Sequence, residues 1–167
     1  MGANLGAVTE TLVAARAALM AAMRITACSS LYRTHAVGPG TQPDYLNAVV
    51  AVTVEMAAVP LLCCLHAIEH DHGRQRDLRW GARTLDLDLL AYDAQCSEDS
   101  ELLLPHPRLQ DRMFVLAPLG EIAPDWQHPQ LQTSASVLKQ QLMAQGEPDV
   151  APLLQQAAPA WYTAPFF

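Results

Sequence analysis

The most restrictive feature of the sequence is the stretch 45–55, in which apolar side chains recur at every second position. The apolar positions are Leu46, Ala48, Val50, Val52 and Val54. Because successive side chains of a strand point to opposite faces of a sheet, this alternation predicts a half-buried β-strand. It also places Tyr45 and Asn47 together on the other face of that strand.

The other segments alternate between helical and strand patterns in a defined order. Helical spacing of apolar residues is found in 9–23, 60–71, 108–118 and 133–145, and strand patterns are found in 25–32, 45–55 and 84–92. This order predicts an α+β fold, a ferredoxin-like α/β sandwich with a βαββαβ core and an antiparallel sheet. The first strand of that core has no counterpart, because Gly2–Gly6 reads as a turn. We expect one domain over 1–147 and a proline-rich C-terminal tail over 148–167.

Composition excludes several classes of function. The net charge is −7, whereas a general nucleic-acid binder shows a basic face. No window approaches the roughly 20 apolar residues that a membrane span requires, and the start lacks the pattern of a signal peptide. The four cysteines show no CxxC spacing, which favours reduced thiols. We therefore expect a cytoplasmic monomer that contacts neither nucleic acid nor membrane.

Positive charge is concentrated in one segment. Four of the ten Lys and Arg residues, Arg74, Arg76, Arg79 and Arg83, lie close together, and all four are arginine. The planar guanidinium group suits bidentate binding of phosphate. The segment is either a solvated loop or an anion site.

Asp86 and Asp88 follow this segment within the predicted strand 84–92. Residues two apart in a strand share a face, so the two carboxylates converge, with Cα atoms about 7 Å apart. Mg²⁺ prefers oxygen ligands and is commonly held by one or two carboxylates and substrate phosphates. The pair is therefore a candidate magnesium site, with a merely solvated polar face as the alternative.

Tyr45 and Asn47 form a candidate site for a flat heterocycle. A side-chain amide donates and accepts hydrogen bonds along the edge of such a ring, and an aromatic side chain borders its face. Trp80 and Phe114 are either stacking walls or core aromatics. The alternative is that Tyr45 and Asn47 are ordinary side chains of a strand without a binding role.

Two histidine patterns remain. His106 lies between two prolines and precedes Arg112. Prolines restrict the backbone, so they would hold the imidazole in a fixed position near a phosphate. The alternative is a surface histidine without a binding role. Residues His66, Glu69 and His70 spell HxxEH, the inverted zincin spacing. A zinc hydrolase needs a third ligand from another element, and no later motif announces one.

Taken together, these motifs resemble the 6-hydroxymethyl-7,8-dihydropterin pyrophosphokinase family of folate biosynthesis from Gly2 to about Pro129. The strongest similarity is Arg79-Trp-Gly-Ala-Arg-Thr-Leu-Asp-Leu-Asp-Leu-Leu90. The supporting segments are Ser29–Thr34, Gln42–Ala48, Ile68–Glu69, Gly73–Arg74, Pro105–His106 and Phe114–Pro124.

The resemblance implies transfer of pyrophosphate from ATP, the co-substrate, to 6-hydroxymethyl-7,8-dihydropterin, releasing AMP. It implies two Mg²⁺ ions on Asp86 and Asp88. The implied pterin-binding residues are Thr34, Val37, Tyr45, Asn47, Trp80 and Phe114. The implied ATP-binding residues are His66, Glu69, Arg74, Arg76, Trp80, Arg83, His106 and Arg112. Of these, the resemblance assigns catalytic contacts to Arg74, Arg83, His106 and Arg112.

Several positions depart from the family pattern. His66 stands where glutamine is frequent, Glu101 replaces a frequently basic residue, and Ala82 replaces the commoner proline. Family members also place a strand before the turn at Gly2. We therefore expect either a start upstream of Met1 or another segment in that position. A truncated, catalytically silent family member that binds nucleotide or pterin is the alternative function.

Overall fold

The computed structural model describes residues 1–36, 42–74, 83–147, 150, 152–153 and 158–163. Its strands are β1 (Gly2–Ala3), β2 (Arg24–Cys28), β3 (Tyr32–Thr34), β4 (Tyr45–Asn47), β5 (Val50–Thr53), β6 (Ser97–Asp99) and β7 (Leu102–Leu104). Its helices are α1 (Val8–Ala22), α2 (Ala58–Asp71), a 3₁₀ turn (Leu109–Asp111), α3 (Met113–Ile122), α4 (Ala135–Ala144) and α5 (Pro159–Thr163).

The fold is α+β, as predicted, and its strands pair in antiparallel fashion. One sheet has the order β1-β4-β3, and two further pairs are β2–β5 and β6–β7. The helices predicted over 9–23, 60–71 and 133–145 are confirmed as α1, α2 and α4. The helix predicted over 108–118 begins later, at Met113, after the 3₁₀ turn.

The segment Gly2–Ala3 is a short strand, whereas the sequence predicted only a turn there. It pairs with β4 on one side, where Gly2 opposes Asn47. On the other side Gly2 and Asp86 exchange two backbone hydrogen bonds of 2.8 Å. Strand β1 therefore lies between β4 and the Asp86 segment, which is the position of the first strand that the sequence did not predict.

The predicted strand 45–55 is interrupted in the middle. The Ala48 N–H donates to the carbonyl of Met1, and the Val49 N–H donates to Ser29 Oγ. Ala48 and Val49 are both buried, at 2% and 7% exposure, which strict alternation does not allow. The break separates β4, which pairs with β3, from β5, which pairs with β2.

The predicted strand 84–92 is reduced to a single bridge between Asp86 and Gly2. Its inward alternation is nevertheless present, because Leu85 and Leu87 are buried. Beyond Asp86, the backbone groups of Asp88, Leu89 and Ala91 make no hydrogen bond among the described residues. An apolar groove of about 540 Å³ lies between β5 and residues 87–94.

Three apolar clusters form among the described residues, and the two larger ones hold the helices against the strands. The first joins α1 and α2 to β1, with Leu12, Leu19 and Leu61 among its members. The second joins α3 and α4 to Tyr32 and Val49. Part of the predicted tail belongs to the first cluster, because α5 buries a tryptophan, Trp161, there.

Candidate active site

An ion cluster forms around Asp86, where the β1 bridge fixes the backbone. Asp86 Oδ2 lies 2.5 Å from Arg83 Nη1. Its other oxygen, Oδ1, is buried and lies 2.6 Å from Arg74 Nη1, although this contact lacks hydrogen-bond geometry. Burial opposes ionisation of Asp86, but the Arg74 and Arg83 guanidinium groups outweigh it and hold the pKa of this carboxyl below its ordinary value.

Glu69 supports this cluster from α2. Its carboxylate is 1% exposed, forms an ion pair with Arg74, and accepts a hydrogen bond of 2.7 Å from the Leu87 N–H. The C-terminal end of α2 and the Asp86 segment are thereby joined through one side chain. Because a buried charge requires partners, Glu69 fixes the position of Arg74.

A second polar group lies on β3 and β4. Asn47 is buried, and its Nδ2 donates to Thr34 Oγ1 at 2.9 Å. Thr34 and Tyr45 are opposite each other in the β3–β4 ladder. Burial raises the pKa of Tyr45, and Arg83, Asp86 and Arg74 are the charges that act on it. Tyr45 lies on β4 two residues before Asn47, and Asn47 opposes Gly2, which bridges to Asp86.

Asn4, which follows β1, joins Arg83 of the ion cluster to the segment just before β4, and the sequence interpretation missed it. Asn4 is 2% exposed. Its Oδ1 accepts from the Arg83 N–H at 2.8 Å, and its Nδ2 donates to the Pro43 carbonyl at 3.1 Å. The only sequence signal was a polar residue in an otherwise small and apolar start, Gly2-Ala-Asn-Leu.

His106 and Asp88 lie on the outer side of the cluster. His106 Nε2 is 4.0 Å from Asp88 Oδ2, and the His106 N–H donates to the Leu90 carbonyl at 2.8 Å. Burial lowers the pKa of His106, Asp88 opposes this shift, and Arg112 adds to it. At neutral pH the imidazole is therefore neutral and close to an exposed carboxylate.

Arg112 and Phe114 lie where α3 begins. Arg112 Cζ is 5.5 Å from the centroid of the Phe114 ring, within cation–π range. Burial lowers the pKa of Arg112, as does the nearby Arg108. The Phe114 ring is partly buried at the edge of the second cluster. The charge of Arg112 contributes to the lowered pKa of His106.

Comparison with known proteins identifies the family. Residues 1–124 match the model of 7,8-dihydro-6-hydroxymethylpterin-pyrophosphokinase. The chain belongs to this family. It is 48% identical over 131 residues to the 2-amino-4-hydroxy-6-hydroxymethyldihydropteridine pyrophosphokinase of Synechocystis sp., covering 77% of this chain and 67% of the relative. The enzymes of the same name from Pseudomonas aeruginosa and Haemophilus influenzae are 43% and 39% identical, covering 77% and 84% of this chain and 81% and 89% of theirs.

The structure brings together most of the residues that the pyrophosphokinase resemblance singled out. The residues around the ion cluster and the β3–β4 polar group are Thr34, Tyr45, Asn47, Glu69, Arg74, Arg83, Asp86, Asp88 and His106. His66 is exposed on α2, three residues before Glu69. Val37, Arg76 and Trp80 lie outside the described residues.

The zinc interpretation of HxxEH gains no support within this family member. Glu69 is committed to Arg74 and Leu87, while His66 and His70 are exposed. Among the described residues no group of three or more His, Cys, Asp or Glu side chains is arranged to hold a metal.

In the part of the chain that the structure describes, no helix has the length and apolarity to cross a membrane.

Proposed function

We propose that this chain transfers the β,γ-pyrophosphoryl group of ATP to the hydroxymethyl group of 6-hydroxymethyl-7,8-dihydropterin. The observation that carries the proposal is the cluster of Asp86, Arg74 and Arg83 beside the Thr34–Asn47 pair. Cationic guanidinium groups and a carboxylate that binds a divalent cation are what a triphosphate requires. The adjacent amide and hydroxyl suit the edge of a pterin ring.

The donor atoms fit magnesium. Asp86 Oδ1 is a buried oxygen that accepts no hydrogen bond of normal geometry, although Arg74 Nη1 lies 2.6 Å from it, and Asp88 offers a second, exposed carboxylate. Two carboxylates completed by substrate phosphates are a common arrangement for this ion. We propose that Asp86 and Asp88 hold two Mg²⁺ ions together with ATP, and the ions neutralise phosphate charge when bound.

The residues of the chain supply positioning and charge. Asn47, Thr34 and Tyr45 orient the pterin, with Phe114, Val37 and Trp80 completing its site. Arg74, Arg83, His106 and Arg112 contact phosphate oxygens, and His66, Glu69, Arg76 and Trp80 complete the ATP site. The pterin hydroxyl oxygen bonds to the β-phosphorus as the bond from that phosphorus to the α,β-bridging oxygen breaks. AMP leaves, the hydroxyl proton passes to solvent, and alignment of the two substrates provides most of the rate.

We also propose that the sheet follows the βαββαβ order, because Asp86, β1, β4 and β3 are neighbours in that sequence. The position of its first strand is occupied by Gly2–Ala3 only in part. The catalytic domain spans 1–147, with 148–167 as a C-terminal segment. All four cysteines are free, which supports a reducing cytoplasm. We propose a monomer.

The test is release of AMP from ATP and Mg²⁺ with and without 6-hydroxymethyl-7,8-dihydropterin. We expect pterin-dependent AMP, and a loss of about 100-fold or more in Asp86→Asn. Asp125→Asn is the matched control, because Asp125 is exposed after α3, and it should retain full activity. Folded protein that releases no AMP would favour the silent family member instead.

A further inference from the structure

The C-terminal segment contacts residues 29–32, which lead into strand β3 of the proposed pterin site. Trp161 of α5 is 1% exposed. Its indole Nε1 donates a hydrogen bond of 3.1 Å to the Ser29 carbonyl, just before β3. The family model ends at residue 124. The contact is therefore made by a part of this chain that the family match does not include.

Arg16 of α1 fixes the orientation of this tryptophan. Arg16 Nη1 donates to the Trp161 carbonyl at 3.0 Å, and its Cζ lies 4.6 Å from the centroid of the indole ring. Both side chains are almost fully buried. Because the guanidinium group contacts both the backbone and the ring of Trp161, it holds the indole in the orientation in which its N–H donates to Ser29.

Ser29 in turn joins the two strand segments of the pterin site. Its N–H donates to the Val49 carbonyl at 2.9 Å, and its Oγ accepts from the Val49 N–H at 3.0 Å. Val49 lies two residues after Asn47. The Ser29 hydroxyl also donates to the Ser30 carbonyl at 2.8 Å, and its carbonyl accepts from Cys28 Sγ at 3.7 Å as well as from Trp161. Because its N–H and Oγ both bond to Val49, a shift of Ser29 is transmitted toward Asn47.

A second contact anchors the same segment a few residues further on. The Leu153 N–H donates to the Leu31 carbonyl at 2.7 Å, and Pro152 forms an antiparallel bridge with Tyr32. Tyr162 closes the arrangement, since its hydroxyl donates to the Leu153 carbonyl at 2.5 Å. We call residues 152–153 and 158–163 the C-terminal strap. Tyr32 itself opposes Asn47 in the β3–β4 ladder.

We propose that Trp161 is a positioning residue for pterin recognition, acting through Ser29 and Val49 on Asn47. The strap contacts residues 29–32 on the side of β3 opposite β4, so that the Thr34–Asn47 hydrogen bond keeps the geometry that the pterin edge requires. This inference rests on the proposed function for its kinetic consequence. Its structural part, coupling of the strap to β3 and β4, does not depend on that function.

The test compares Trp161→Phe with Trp126→Phe. Trp161→Phe keeps a six-membered aromatic ring in the core but removes the five-membered ring of the indole, including the N–H that reaches Ser29. Trp126→Phe removes the same atoms at another position. Trp126 packs in the second cluster, against His128, so the same substitution there is the matched control. Two readouts are required: amide hydrogen exchange of segments 29–34 and 45–49, and KM for the pterin and for ATP.

In Trp161→Phe we expect exchange in both segments to become about tenfold faster, because the variant loses a buried hydrogen bond and part of a buried ring. The pterin KM should rise about three- to tenfold, while the ATP KM and kcat stay within about twofold. Trp126→Phe should leave exchange in these segments unchanged. If Trp161→Phe does not fold, Tyr162→Phe weakens the strap more gently and should speed exchange in the same two segments.

Two results would overturn the proposal. One is exchange in 29–34 and 45–49 that is the same in Trp161→Phe and Trp126→Phe. The other is an equal rise of both KM values, which indicates general loosening of the fold rather than positioning of Asn47. If the proposed function is wrong, the unmodified chain releases no pterin-dependent AMP. The exchange rates of Trp161→Phe still test whether the C-terminal strap is coupled to β3 and β4.

Discussion

Glu69 and Leu87 are joined by a hydrogen bond of 2.7 Å from the Leu87 N–H to the buried Glu69 carboxylate. The same carboxylate forms an ion pair with Arg74. We predict that Glu69→Ala lowers the free energy of unfolding by about 3 kcal/mol, because it leaves a buried cation and a buried N–H with one partner fewer. Glu69→Gln keeps an acceptor for Leu87 and should cost about 1 kcal/mol.

Chemical denaturation of the two variants measures this difference. Glu98→Gln makes the same charge change at an exposed position of β6, and it should leave stability within about 0.5 kcal/mol. Equal losses in Glu69→Ala and Glu98→Gln would contradict the central role of Glu69.

Stability in acid should depend on Asp86. Its folded-state pKa is lowered, because Arg74 and Arg83 outweigh the effect of burial. The stabilisation from its ionised form is therefore fully present above the ordinary carboxyl pKa of about 3.9 and is lost as pH falls through the lowered folded-state value. Asp86→Asn should lack this part of the acid dependence. Urea unfolding at a series of pH values from neutral to acid gives the free energy of unfolding as a function of pH. An equally steep fall of this free energy in Asp86→Asn and Asp125→Asn would contradict the prediction.

The absence of a side chain at Gly2 makes room for Asn47. A Cβ at position 2 would lie 2.7 Å from Asn47 Oδ1, closer than real contacts allow. Under the proposed function, Gly2→Ala should raise the pterin KM about tenfold and leave the ATP KM nearly unchanged. Steady-state kinetics with each substrate varied in turn measures both values.

Gly120→Ala provides the control for this substitution. Gly120 lies inside α3, and a Cβ there meets nothing within 4 Å, so alanine should stabilise the helix by about 0.5–1 kcal/mol without changing either KM. In an Asn47→Ala background the effect of Gly2→Ala on the pterin KM should nearly vanish. A full effect in that background would place the cause elsewhere.

The groove between β5 and residues 87–94 should accept an added strand. One edge of β5 has no partner strand among the described residues, and the backbone of Asp88, Leu89 and Ala91 makes no hydrogen bond there. Joining about eight β-prone residues to Met1 continues β1 between these edges. We expect Tm to rise by about 5 °C. An extension with prolines at alternate positions lacks the N–H groups that the ladder needs, so it should leave Tm unchanged. An equal rise of Tm with both extensions would contradict the formation of an added strand.

The sequence alone determined the features that repeat within one segment. The helical spacing in 9–23 and 60–71 predicted α1 and α2, and the alternation around Asp86 predicted buried Leu85 and Leu87. These patterns are local because side-chain direction follows from backbone period. The ordered family motifs, from Ser29 to Pro124, likewise predicted the family before any contact was known.

The tertiary structure alone decided the contacts between distant segments. Nothing in 45–55 signals the break at Ala48 and Val49, because Met1 and Ser29 cause it by accepting their N–H groups. The Arg83 N–H donates to Asn4 Oδ1, which joins two residues 79 positions apart in the sequence. Trp161 lies in a proline-rich, aperiodic segment, yet it is buried against Arg16. Such pairings depend on which surfaces meet after packing, and no local period in the sequence records that choice.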